Sequence, residues 1–479
     1  MLIWIDGLAI AAYFLLLLVI GWRVMMKARQ RDALGSFLAA DRNMGLWQTT
    51  ASTAATDLGG GFSIAMGGLG FSLGISGSWL IAISGLSVVM VSFLLVPKLK
   101  IWSDQTQGLT TGDLFTQRFG LKTGRLAALV IGLSWFSFVG GQIIAGGKLL
   151  QVTLSLDLTM AIIVSGLVIV GYTAMGGLKA VIYTDVFQMG VLFVGIVLLL
   201  VPLGLIAVGG PAALIDHFSK DQATASFVEW GAVAPKELIG WFLSVFPVWF
   251  ISIAAMQRII AARNVRVAQR AFLLTGVPIE WPLFAIGATL VGLIARMLMP
   301  DLSDPELATP MMIITVLPAG IAGLVIAAYI AAVMSTADSC LMGPVAIATN
   351  DFYKKWWRPL ATDLEMLRFA RVMTWLLGVA AIGLAYLVPN VLDLILYAYT
   401  FGAAGLFFPM LGLLFWRRTT ADGAFSSMVL GGGGAVCWML LGEPMGFSAS
   451  YIGWALGLPV LVVVSLMTQH TSDENLELF

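Results

Sequence analysis

A chain of 479 residues that is 59% hydrophobic and 11% charged, with a mean hydropathy of +0.95, is too apolar for a water-soluble domain, where roughly 25% of residues are charged. Its 26 basic and 26 acidic side chains cancel, so no net positive field draws nucleic acid. Two cysteines, Cys340 and Cys437, sit in apolar runs and indicate neither a disulfide framework nor a metal cluster. The composition is that of an all-α polytopic membrane protein whose main partner is the lipid bilayer.

Stretches long enough to cross that bilayer recur about thirteen times. They fall near 3–24, 46–70, 77–97, 123–152, 157–174, 180–206, 237–260, 270–297, 311–348, 367–387, 390–415, 422–441 and 449–468. The first follows Asp6 and lacks a basic start or a small-residue cleavage site, which predicts a retained spanning helix rather than a signal peptide. Alternate connections are basic: Arg23, Lys27, Arg29 and Arg31; Lys98, Lys100, Arg118 and Lys122; Lys179; Arg258, Arg263, Arg266 and Arg270; Lys354, Lys355, Arg358, Arg368 and Arg371; Arg417 and Arg418. The others are short and neutral, or mixed and acid-leaning as at 216–236 and 301–306. This alternation predicts a plasma-membrane protein with its N-terminus outside and its C-terminus in the cytoplasm.

The second stretch is interrupted by Asp57-Leu58-Gly59-Gly60-Gly61. Successive glycines loosen a helix, and non-helical backbone at membrane depth survives only inside protein or beside a water-filled cavity. The seventh stretch carries Pro247 within Val245-Phe246-Pro247-Val248-Trp249. Two interrupted helices five spans apart are the pattern of a transporter site between two inverted repeats. Asp57 and Gly60 at the first interruption, Trp249 at the second, and Phe138 and Gln142 on the glycine-flanked fourth span are the candidate solute contacts. Lys148 on that span, near its end, is expected to snorkel toward water. Glu280, between Pro278 and Pro282, is expected to be buried for structure or to lie near an interface.

In the ninth stretch, Ala332, Ser335, Thr336 and Ser339 share one helix face. Asp338 lies about 60° to one side as the run's one formal charge. A mid-bilayer carboxylate costs about 2.5–3.5 kcal/mol and demands a partner. Hydroxyl and carboxylate oxygens without histidine suit a small hard cation. Asp185 is a second intramembrane carboxylate, within the sixth span. His217 and His470 lie in hydrophilic connections, and no nucleophile–base constellation, HExxH or pair of aspartates on facing spans is evident, so an enzyme is disfavoured.

Three segments, Ala54-Ala55-Thr56-Asp57-Leu58-Gly59-Gly60-Gly61, 176–188, and Ala331 to Ser339 followed by Asn350-Asp351-Phe352-Tyr353, resemble the sodium:solute symporter family; a weaker fourth is Gln257 to Arg263. The resemblance covers nearly the whole chain, 1–479, as a single transmembrane domain. It implies the leucine-transporter-type fold: an extra N-terminal helix at 3–24, a five-helix repeat at 46–206, its inverted counterpart at 237–415, and two C-terminal helices at 422–468. It also implies a sodium ion held by the carbonyls of Ala55, Leu58 and Ala332 and the hydroxyls of Ser335 and Thr336. A second ion in some members corresponds here to Asp185, Ser335, Asp338 and Ser339. Asp338 departs from the hydroxyl found in one version of that site. The expected function is sodium-coupled import of a small polar organic solute by alternating access, with no obligate protein partner evident. The alternatives are proton coupling through Asp185 or Asp338, and a transporter-like sensor domain, for which the attached kinase is missing. Ser252 stands where the choline branch places a cage tryptophan, Gly61 where the proline branch places one, and no arginine lies near Gln142 as in the sialic-acid type, so the solute stays open.

Overall fold

The computed structural model describes residues 4–28, 40–175, 178–388 and 390–469. Gly176 and Gly177 of the second motif, Arg29 and Arg31, and the acidic tail with His470 lie outside them. Each apolar stretch in the sequence carries helix, and among the described residues the one β-type contact is an isolated bridge between Met44 and Ala262. Among the described residues ten helical runs are long and apolar enough to cross a membrane, and shorter apolar helices cover Trp4–Leu16, Leu158–Gly171 and Pro305–Val316.

The second stretch is two helices, Leu46–Asp57 and Gly60–Leu73. Leu58 (φ −77°, ψ 35°) leaves the helix, and Gly59 (φ −55°, ψ 161°) is extended. Carbonyls of the first segment's last turn are thereby left without intrahelical donors. Glycine is required at this junction because a Cβ on Gly59 would collide with the Thr336 side chain, and one on Gly60 with Val333.

The seventh stretch also breaks, but not chiefly at Pro247. Helices Pro235–Val245, Val248–Ile251 and Ile253–Ala261 succeed one another. Pro247 keeps helical angles (φ −68°, ψ −19°), whereas Ser252 is extended (φ −62°, ψ 121°) and its hydroxyl caps the last segment by accepting from the Ala255 amide at 3.0 Å. Proline at the start of a segment loses nothing, because its missing N–H would have been an orphan anyway; Ser252 supplies the cap that permits an actual break.

The ninth stretch begins later than its apolar run suggests. Residues Ala308–Val316 form a separate short helix, Leu317 is extended (φ −87°, ψ 137°), and Gly320 adopts φ +84° before the long helix Ile321–Ile347. Pro318 and Gly320 interrupt a run that hydropathy alone reads as continuous. Almost every side chain of Ile321–Ile347 is buried, from Val325 through Ile347 with the exception of the half-buried Ile330. The bundle is built around it: both broken helices, the Leu121–Leu154 helix and the Leu178–Leu192 helix pack against this rod.

Candidate functional site

At the first break, the rod meets the freed carbonyls. The Ser335 hydroxyl lies 3.0 Å from the Ala55 carbonyl oxygen and 3.0 Å from that of Ala332. The Thr336 hydroxyl lies 3.2 Å from Ala55 O and 3.1 Å from Thr56 O. The two hydroxyls carry two protons between them, yet they make four contacts to three carbonyl oxygens. Such an excess of oxygen acceptors, sealed from water, is the donor set of a hard monovalent cation. Leu58 completes the turn: its carbonyl accepts from the Ser63 hydroxyl at 3.4 Å. Of the five residues expected at the first ion site, Ala55, Ala332, Ser335 and Thr336 meet through hydrogen bonds, joined by Thr56 from outside that set, and Leu58 follows at the break.

Asp185 and Ser339 join them from below, through a residue that its position misrepresents. Arg258, expected among loop charges, is 1% exposed and runs into the bundle from the last segment of the second broken helix. Its Nη2 donates to Asp185 Oδ2 at 3.1 Å, to Thr56 Oγ1 at 2.7 Å and to Ser339 Oγ at 2.7 Å, and its Nε donates to Ser52 Oγ at 3.1 Å. Ser52 in turn donates to Asp185 Oδ2 at 2.6 Å. Asp338 accepts the Ser339 amide at 2.9 Å through Oδ1. Asp185 Oδ1 and Asp338 Oδ2 are both buried without a hydrogen-bond partner. One guanidinium thus faces two carboxylates, which leaves room for one more positive charge.

The candidate solute contacts divide. Asp57, Trp249 and Ser84 of the Trp79–Leu94 helix form a chain: Trp249 Nε1 donates to Ser84 Oγ at 3.0 Å, and Ser84 donates to Asp57 Oδ2 at 3.3 Å. Phe138 lies apart from that chain, stacked on Tyr399 with centroids 5.2 Å apart and tilted against Trp135 at 5.5 Å. Val248 and Ile251, on either side of Trp249, line the same small recess as Phe138 and Tyr399. Gln142 is buried one turn along from Phe138, and Gly60 packs on Val333.

Glu280 belongs with Asp57, and nothing periodic in the sequence announced it. It sits in a widened π-helical segment, Thr275–Phe284, where Pro278 and Pro282 remove two amide donors and Trp281 departs from helical angles (φ −130°, ψ 125°). That distortion turns Glu280 inward, fully buried and within hydrogen-bonding reach of Asp57. Asp57 and Glu280 thereby form a mixed aspartate–glutamate carboxyl pair on neighbouring helices, a kind of pair that the expectation of no facing aspartates does not cover. Lys148 corrects a second expectation: it does not snorkel but is buried, with Nζ 2.6 Å from Asp304 and 2.6 Å from Glu306.

The model of the sodium:solute symporter family matches residues 37–431, most of the chain. The chain belongs to that family. Among curated relatives of this symporter, the osmoregulated proline transporter of Bacillus subtilis is 26% identical, over 98% of this chain and 96% of its own. A sodium/proline symporter of Staphylococcus aureus is 27% identical (98% and 92% covered), and the mouse sodium/myo-inositol cotransporter 2 is 27% identical (89% and 68% covered). Among solved structures, a substrate-bound, outward-open sodium-coupled sialic acid symporter superposes with a TM-score of 0.78 at 20% identity, covering 98% of this chain and 99% of that one. Mhp1, a nucleobase-cation-symport-1 family transporter in a closed conformation, gives 0.61 at 13% identity, with 92% and 97% covered. These likenesses establish the leucine-transporter-type fold, with its two opposed repeats and broken helices.

Proposed function

We propose that this symporter couples sodium entry to uptake of a small organic solute through an ion bound between the first break and the Ile321–Ile347 rod. The observation that carries the assignment is the meeting of the Ser335 and Thr336 hydroxyls with the Ala55 and Thr56 carbonyls. The ligands would be the carbonyls of Ala55, Leu58 and Ala332 and those two hydroxyls. They come from two separate helices, so the ion ties the broken helix to the rod and favours whichever state brings them together. Asp185, Asp338, Ser339 and Ser335 form a second cation position, in which Arg258 neutralises one carboxylate and the ion the other. One charge moved through 100 mV contributes about 2.3 kcal/mol to accumulation.

The excess of lysine and arginine in alternate connections supports a cytoplasmic position for the end that carries Arg42, Arg263 and Lys355, with the Lys148 end outside.

Thermal unfolding of the purified protein in NaCl and in KCl tests the first position. Sodium stabilises the wild type, since an ion that binds the folded state alone raises apparent stability; the double substitution Ser335→Ala and Thr336→Ala removes that difference. Equal stabilisation of wild type and variant sinks the assignment, as does uptake that follows a pH gradient without sodium. The second position is read from the steepness of sodium activation: Asp338→Asn lowers the Hill coefficient toward one, and an unchanged coefficient rejects a second ion.

A further inference from the structure

The buried carboxyl pair of Asp57 and Glu280 is not used by either cation position. Asp57 closes the Leu46–Asp57 helix, one residue before the break, and reaches toward Ser84. Glu280 approaches it from the π-helical segment and lies across the backbone of Gly85, where a Cβ would stand 3.6 Å from Glu280 Oε2. Glu280 has no exposed surface, and apart from the Asp57 carboxyl group itself its oxygens have no hydrogen-bond partner. The Ser84 hydroxyl offers one proton, already given to Asp57. Among the described residues no lysine, arginine or histidine forms an ion pair with either acid, and the buried guanidinium of Arg258 is committed to Asp185.

Four elements converge here: both broken helices, the Trp79–Leu94 helix and the π-helical segment. Trp249 supplies an indole whose N–H is fixed on Ser84, its ring standing edge to face with Phe272 at 5.8 Å. An unpaired carboxylate in so dry a place is strongly disfavoured, and two of them in contact more so. What this arrangement lacks is a donor-rich cation. A neutral polyol gives hydroxyl donors but no charge, and an anionic solute adds repulsion. A protonated amine brings two or three N–H donors and a positive charge, which suits facing carboxylates and tolerates an indole neighbour.

We propose that Asp57 and Glu280 bind the cationic nitrogen of the transported solute, which makes the substrate class a small organic amine. The inference rests on the symport reading above and names the solute of that same machinery. The solute nitrogen lies beside the break that also frees the sodium ligands, so solute and ion fix the same hinge from opposite sides.

Thermal unfolding of the full-length purified protein in either NaCl or KCl, titrated with ethanolamine, putrescine, proline, myo-inositol and N-acetylneuraminate, tests the pair. The amine-bearing probes ethanolamine, putrescine or proline raise the wild-type melting temperature in NaCl, and myo-inositol and N-acetylneuraminate leave it in place. Glu280→Gln weakens the apparent affinity for the effective amine by about 10–100-fold, the loss of one charge-assisted contact. Its retained difference between NaCl and KCl shows that it folds; should the variant not fold, the wild-type panel decides alone. Stabilisation by myo-inositol or N-acetylneuraminate without the amines overturns the proposal, as does a panel in which no amine acts or a Glu280→Gln protein that responds like wild type. Loss of the sodium difference in the wild type instead overturns the ion site, and the amine arm in KCl still decides this one.

Discussion

Gly59 shows how tightly single residues set this site. Its missing Cβ leaves the volume filled by the Thr336 side chain, so the hydroxyl touches the broken helix directly. Gly59→Ala is expected to displace Thr336 and lower sodium affinity at least tenfold, about 1.4 kcal/mol, with sodium activation of stability as the measurement; a wild-type response would show that the hydroxyl can yield without loss. The hydroxyl pair was legible because Ala332, Ser335, Thr336 and Ser339 share a face at helical spacing, and the carbonyls because three glycines announce a break. Arg258, Glu280 and Lys148 were not. A charge near the end of an apolar run looks the same whether it turns to water or inward. What decides is a partner 73 positions away for Arg258 and 156 or more for Lys148, and no local period encodes that. Glu280 is hidden further, because two prolines erase the helical register from which its direction would be read.

Elements hold their places through glycine-lined crossings more than through polar contacts. The Gly60–Leu73 segment lies against the Ala285–Leu298 helix so closely that a Cβ on Gly292 would strike the Gly67 carbonyl, and one on Gly70 the Thr289 carbonyl. In lipid the apolar effect does not drive helices together, so close backbone approach and dispersion must. Gly292→Leu is expected to part the two helices and destabilise the fold by roughly 1–3 kcal/mol, the usual cost of overpacking; a melting temperature in detergent equal to that of the wild type would contradict it. The same crossing anchors the second half of the first broken helix, Gly60–Leu73. That half packs chiefly on the Ala285–Leu298 helix and the first half, Leu46–Asp57, chiefly on the Leu178–Leu192 helix, while both touch the rod. The sequence announced both breaks but misjudged one boundary: Pro247 attracts attention, whereas the extended residue is Ser252. Proline permits a break, but a capped end creates one.

At the scale of the whole molecule, both ends of the bundle are tied. At one end Lys148 joins Asp304 and Glu306, and the Glu306 carboxylate accepts the Val391 and Leu392 amides at 3.1 and 3.0 Å, linking three separate segments. At the other, Arg42 donates to the Ser103 hydroxyl at 2.7 Å and lies 3.5 Å from Asp104, Lys355 bridges Asp113 and Asp351, and Thr110 donates to Asp351 at 3.0 Å. Lys100, between Asp104 and the Ile260 carbonyl, has its pKa pushed down by burial, which Asp104 opposes. Alternating access requires the ties of one end to open while the other holds. Lys148→Ala leaves the buried Glu306 carboxylate without its cation, which penalises the closed form of that end and not the open one. If the tie contributes about 1.4 kcal/mol, the open population at that end rises roughly tenfold. A cysteine introduced as Phe138→Cys, in a background carrying Cys437→Ala because Cys437 is exposed, reports that opening through its rate of labelling by a membrane-impermeant maleimide. The Lys148→Ala protein is expected to label about tenfold faster, and sodium is expected to change the rate in both backgrounds. Equal labelling rates would mean that the three-segment cluster stabilises the fold without gating it.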